Sequence, residues 1–115
     1  MKKDRIYLRH ILDAIEKIES YTAVGREAFM AAEQCQDSVI RRLEIIGEAS
    51  KRLSEEIRNK YADVPWRDIA GLRDVLIHDY MGVDLVRVWE ITQENLGGMK
   101  KRIVAILQYL ESGTT

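Results

Sequence analysis

One cysteine, one proline and two histidines are all that this 115-residue chain holds of those types. Each scarcity closes a door. The lone Cys35 excludes an internal disulfide and suits a reducing cytoplasm. With only His10 and His78 and no Cys/His cluster, a zinc site is not expected, and any chemistry should run without a tightly held metal or other cofactor. No apolar run approaches the roughly 20 residues that a membrane span requires. The opening "MKKDRIYLRH" has two lysines but no apolar stretch behind them, so it does not read as a signal peptide. Strand-like alternation, internal repeats and low-complexity segments are missing too. A net charge of −1 excludes binding of long nucleic acid by bulk electrostatics, which asks for a strongly basic chain. Positive charge is gathered only locally, at Arg41 and Arg42, at Lys51 and Arg52, and at Lys100, Lys101 and Arg102. Taken singly, each group reads first as a solvated helix face.

What is present is helical periodicity. With 46% hydrophobic and 32% charged residues, the composition is that of a soluble globular protein, and the length fits one domain over residues 1–115. Ile11, Ala14, Ile15 and Ile18 repeat at three and four residues and predict a first helix from Lys3 to Tyr21. A break at Gly25 precedes a short helical piece containing Phe29. Val39, Leu43, Ile46, Leu53 and Ile57 form one stripe of a long helix predicted from Gln36 to Asn59. Asp63 and Pro65 punctuate, because proline is tolerated in a first helical turn and not in a helix interior. The next helix starts at Trp66 and should stop before Gly82. Leu85, Trp89, Thr92, Leu96, Met99, Ile103, Ile106 and Leu110 then follow a heptad-like period, with a bend expected at Gly97 and Gly98. The expected fold is all-α: an up-and-down bundle of four main helices plus one short helix.

One stretch does not fit a purely structural helix. "RDVLIHDY", residues 73 to 80, brings an arginine, a histidine and a tyrosine into an otherwise apolar helical pattern. On an ideal helix Arg73 and Tyr80 lie near one another, whereas His78 lies roughly 140° from Arg73. Either the helix loosens near His78 or a second copy of the chain completes the site, and the second option makes this an interface site. Plainer roles exist for each residue. His78 suits a terminal helical turn, Arg73 a pairing with Glu44 or Glu48, and Tyr80 the core edge with its hydroxyl in water.

The stretch matches the R-x4-H-x-Y pattern of the HEPN ribonuclease toxins, and the chain resembles their HepT-like family. "YLRHILDAIEKIESYT", "QDSVIRRLEIIGEASKRLSEEIR" and "PWRDIAGLRDVLIHDYMGVDLVRVW" extend the resemblance from Tyr7 to Leu110. The motif's place after "PWRDIAGLR" and before "GVDL" is more specific than the motif alone. Two departures bear on details. The family commonly has asparagine where this chain has Arg42, which touches RNA contacts, and a proline near Gly97 and Gly98, which touches the helix bend.

The resemblance implies an RNA-cleaving toxin of a type VII toxin–antitoxin system, encoded beside a nucleotidyltransferase antitoxin of the MntA type. It implies a homodimer whose two motifs meet in a shared cleft, with Arg73 and His78 catalytic. It also implies inactivation by attachment of AMP to Tyr80. The residue types suit that chemistry. His78 can move protons near neutral pH, Arg73 can clamp a phosphate with its planar fork, and Tyr80 can hold RNA by stacking or by its hydroxyl. Glu44 and Glu48 lie one turn apart and are candidates to orient Arg73 or His78 from behind. An ordinary Glu48–Arg52 surface pair is the plainer account of the second. Gly47 reads as a point of close helix crossing, and His10 as a surface residue. The competing expectation is a non-catalytic helical partner module of a nucleotidyltransferase.

Overall fold

The computed structural model describes residues 2–72 and 84–112. Among them are seven helices and no strand: α1 (Lys2–Thr22), α2 (Arg26–Ala31), α3 (Glu33–Lys51), α4 (Glu55–Lys60), α5 (Trp66–Ala70), α6 (Leu85–Glu94) and α7 (Leu96–Glu111). The all-α expectation holds. The first helix falls within a residue of its predicted ends, and the short piece around Phe29 is α2. Between them Gly25 takes φ +94°, a conformation that L side chains rarely adopt, and this lets the chain reverse at once.

The core forms where the helical stripes meet. Leu8, Ile11, Ile15 and Ile18 of α1 are fully buried, as are Val39, Leu43 and Ile46 of α3 and Ile103 and Ile106 of α7. Helix α1 runs antiparallel to both neighbours. Its start, at Asp4, bonds Ser54 beyond the end of α3, and its end, at the Tyr21 carbonyl, accepts from Cys35 in the first turn of α3. Likewise Arg9 pairs with Glu111 at the end of α7, and Glu19 pairs with Lys100 near its start. Phe29 of α2 plugs one end of the core, its ring 5.3 Å from that of Trp89 in α6.

Two predicted helices are each divided. The long helix expected from Gln36 to Asn59 is α3 and α4, separated at Arg52 to Ser54 although the apolar stripe continues through Leu53 and Ile57. Ser54 is extended (φ −66°, ψ 155°) and its hydroxyl oxygen accepts from the Ile57 N–H at 3.2 Å, capping α4. The Asp4 carboxylate accepts from both the Ser54 N–H and the Ser54 hydroxyl, each at 2.8 Å. Asp4 is only 2% exposed, so this tertiary partner satisfies a buried charge and fixes the break. Hydrophobic spacing carries no record of such a partner.

The last helix is divided at Asn95, two residues before the expected bend. Asn95 has φ −108°, away from the ideal helical value, while its N–H still bonds the Ile91 carbonyl at 3.1 Å. Gly97 and Gly98 stay helical in the first turn of α7. The heptad-like stripe itself is real, but Ile103, Ile106 and Leu110 are consumed by this chain's own core. It is therefore not a free seam for a partner helix. The stop expected before Gly82 lies outside the described residues.

Candidate active-site region

Arg73, His78 and Tyr80 lie outside the described residues, so the region is built from what flanks them. On the entry side, Val64 is buried and Pro65 sits at the N-cap of α5. Trp66 is buried, and its indole Nε1–H donates to the Tyr61 carbonyl at 3.0 Å, which locks the α4–α5 turn. Helix α5 then lies on α3 at Gly47. A Cβ placed on Gly47 would come within 3.2 Å of the Ile69 carbonyl oxygen and 3.4 Å of that of Ala70. The glycine permits backbone to meet backbone, as the sequence suggests, and the crossing falls just before Leu72 and the start of the motif.

On the exit side, the Asp84 carboxylate accepts from the Arg87 N–H at 3.1 Å and caps α6. Leu85 shares a shallow hollow with Ile40, Asp37 and Gln36 of α3. Along α3 the entry flank is seated at Gly47, while Leu85 of the exit flank borders the hollow beside Ile40. Glu44 lies between these two positions on α3 and is half-buried. Glu48 lies past Gly47, is exposed, and stands 3.8 Å from Lys51. The expected partner Arg52 is the C-cap residue of α3, where the helix ends, while Lys51 keeps i,i+3 spacing from Glu48 inside it.

A cleft of about 520 Å³ opens beside the entry flank, between α5 and the α6–α7 junction. Ile69, Leu72, Ile91 and Leu96 supply apolar wall, and Arg67, Arg87 and Arg102 bring positive charge with Asp63 and Asp68 among them. Arg102 holds Asp63: Nη2 donates to Oδ1 at 3.1 Å, and Nε lies 2.8 Å from Oδ2, poorly aligned for a hydrogen bond. Arg102 belongs to a basic group visible in the sequence, but its convergence with Arg67 and Arg87 is not visible there. The three are far apart in the chain, and each looks like ordinary helix-surface charge. Of the basic clusters noted in sequence, Lys100 is tied to Glu19 at 2.8 Å, and this hydrogen bond holds its ammonium above the ordinary lysine range. Arg41 is exposed and Arg42 half-buried. His10 is exposed, as expected, with its ring 6.2 Å from that of Tyr7. No helix among the described residues is long and apolar enough to cross a membrane.

Comparison with known proteins adds independent weight. The family model described as "Ribonuclease HepT-like" matches residues 11–106. A gamma-glutamylcyclotransferase and RNase candidate of Methanocaldococcus jannaschii is 47% identical over 113 residues, covering 96% of this chain and 51% of that protein. The chain thus spans about half the length of that relative. An RNase candidate of Caldanaerobacter subterraneus subsp. tengcongensis is 42% identical over 109 residues, covering 94% of this chain and 97% of its own length. A probable ribonuclease HepT of Thermococcus cleftensis is 42% identical over 95 residues, covering 82% of this chain and 86% of its own. No solved structure matches the chain.

Proposed function

The chain belongs to the HepT-like ribonuclease family, and on that premise we propose that it is a metal-independent RNA endonuclease toxin, neutralised when a cognate nucleotidyltransferase attaches AMP to Tyr80. The observation that carries the proposal is the intact R-x4-H-x-Y set in a chain whose family match spans both sides of it. Metal-free cleavage uses the neighbouring 2′-hydroxyl as nucleophile. The P–O2′ bond forms and the P–O5′ bond breaks, with a proton leaving O2′ and another arriving at O5′. His78 is the side chain with the right proton affinity for such transfers near neutral pH. Arg73 clamps the phosphate and offsets the charge that grows on its oxygens in the transition state.

One histidine cannot be base and acid on opposite sides of phosphorus in one step. A homodimer supplies two, together with two arginines. The support for this assembly is the separation of Arg73 from His78 around an ideal helix, not the heptad-like stripe, which is spent inside the chain. Glu44 is the acid that orients Arg73. Its half-buried place on α3 between the two flanks of the motif favours it over exposed Glu48. AMP on Tyr80 adds bulk and a negative phosphate where the RNA phosphate must sit, so it blocks cleavage without a change of shape. The cytoplasm is the compartment where this RNA chemistry and a single reduced cysteine coincide.

The test is cleavage of RNA in EDTA by the wild-type chain and by His78→Ala and Arg73→Lys. The wild-type chain should cut and leave 2′,3′-cyclic phosphate ends. His78→Ala should be inactive, and Arg73→Lys badly impaired because an ammonium cannot reproduce the bidentate fork. Retained cleavage by His78→Ala would remove the residue assignment. A wild-type chain that cuts no RNA, yet takes up AMP from its partner, would be the non-catalytic module instead.

A further inference from the structure

Lys60 and Tyr61, where α4 ends, meet Tyr109 of α7. The two tyrosine rings stand 6.5 Å apart at 74°. The Lys60 ammonium lies 3.9 Å from the centre of the Tyr109 ring and 5.9 Å from that of Tyr61, and the Arg102 guanidinium lies 5.9 Å from the Tyr61 ring. Tyr109 is 42% exposed, although its helical neighbours Ile106 and Leu110 complete the core without it. Arg102 sits seven residues before Tyr109, two turns along the same face of α7. It also lines the cleft that reaches Gly71 and Leu72, the last described residues before Arg73. Rings and cations are thus interleaved on a surface continuous with the approach to the motif.

We propose that Tyr109, Tyr61, Lys60 and Arg102 form a platform that binds single-stranded RNA on one side of the cleavage point. The proposal rests on the ribonuclease function above. Aromatic faces take bases of any identity by stacking, and flanking cations take the phosphates between them. Rings at a steep angle to one another suit splayed bases of a single strand rather than a continuous duplex stack. Lys60 covers the Tyr109 face and is hydrogen-bonded to that tyrosine, but it is exposed and has a flexible stem, so it can exchange this contact for a phosphate as a base takes its place. The hydrogen bond to Tyr109, then the charges of Tyr109 and Tyr61 and last that of Glu56, hold the Lys60 ammonium above the ordinary lysine range. Glu56, together with Asp63 held by Arg102, keeps the local positive surplus small. Binding should therefore come mainly from stacking and weaken only shallowly with salt.

The experiment measures fluorescence anisotropy of a labelled 2′-O-methyl oligoribonucleotide of ten bases, which cannot be cut through its 2′ oxygen, with the full-length chain. Tyr109→Ala should weaken binding roughly tenfold and Tyr109→Phe should leave it nearly unchanged. Lys60→Glu, at an exposed residue outside the core, should also weaken it about tenfold, which keeps the test decisive if Tyr109→Ala misfolds. Binding by Tyr109→Ala and Lys60→Glu equal to wild type would overturn the platform while leaving the ribonuclease function standing. RNA binding that depends on Tyr109 in a chain that cuts nothing would sustain the platform and sink the ribonuclease. If the same variants spare RNA binding but weaken capture of the nucleotidyltransferase, the surface serves a protein and the proposal fails.

Discussion

Helix α3 carries two unlike faces. Toward α1 it presents Val39, Leu43 and Ile46, all fully buried, and contact is made by the ends of branched side chains. Toward α5 it presents Gly47, and contact is made by backbone, with carbonyl oxygens 3.2 and 3.4 Å from where a Cβ would sit. The first face stores stability, because burying each such side chain removes apolar area from water. The second stores position. A backbone-to-backbone seat fixes the height and depth of α5 on α3 and so sets where the chain enters the motif. Stability and placement are therefore separable on one helix, and substitutions on the two faces should have different signatures.

The largest effect should come from the core face. Leu43→Ala should lower unfolding free energy by about 2–5 kcal/mol through lost transfer energy and the cavity left behind. Urea melts measure the loss, while cleavage per folded molecule should stay near wild type. A large loss of cleavage in fully folded Leu43→Ala would break the division of labour. Next comes the pair of acids near the seat. Glu44→Gln should reduce kcat for RNA cleavage about tenfold, on the order of 1.4 kcal/mol in the barrier. Glu48→Gln, facing solvent beside Lys51, should leave it unchanged. Adding Glu44→Gln to Arg73→Lys should cost little more than Arg73→Lys alone, since the acid acts through that clamp. Equal effects of the two glutamates would remove the distinction between them.

Gly47→Ala should cost about 1 kcal/mol, because the gain of roughly 1 kcal/mol in helix propensity is outweighed by crowding against the α5 carbonyls. Its cleavage should fall further than its stability predicts, which kinetics at saturating RNA, well below the melting point, would show. The smallest effect has the opposite sign. Gly97→Ala should raise stability by about 0.5 kcal/mol, since a Cβ there meets nothing and the unfolded chain loses freedom. The same substitution at two helical glycines would then destabilise at one and stabilise at the other. A stabilising Gly47→Ala would show that α5 yields easily and that the seat is soft.

Much of this could be read in the chain itself. Ile11, Ala14, Ile15 and Ile18, the stripe from Val39 to Ile57, and that from Thr92 to Leu110 announce buried faces, because helical periodicity and water's exclusion from apolar groups act locally. Gly47 announced a close crossing, since few other reasons place glycine inside an apolar-striped helix. The division of the long helix at Ser54 was not legible. It depends on Asp4, fifty residues away, whose carboxylate accepts both Ser54 donors. The division at Asn95 was masked by the more conspicuous glycines after it. The meeting of the cleft arginines was hidden for the same reason as Asp4, because Arg67, Arg87 and Arg102 converge only when α5, α6 and α7 are packed.

Sequence alone determined the helical class, the core residues and the family, because periodicity and the R-x4-H-x-Y set are properties of neighbours along the chain. Only the tertiary structure decided where helices break, which glutamate stands between the flanks of the motif, and which charges share a surface. Those outcomes belong to groups brought together from distant parts of the chain, and no local pattern specifies the meeting of a carboxylate on α1 with the cap of α4, or of a tyrosine on α7 with a lysine on α4.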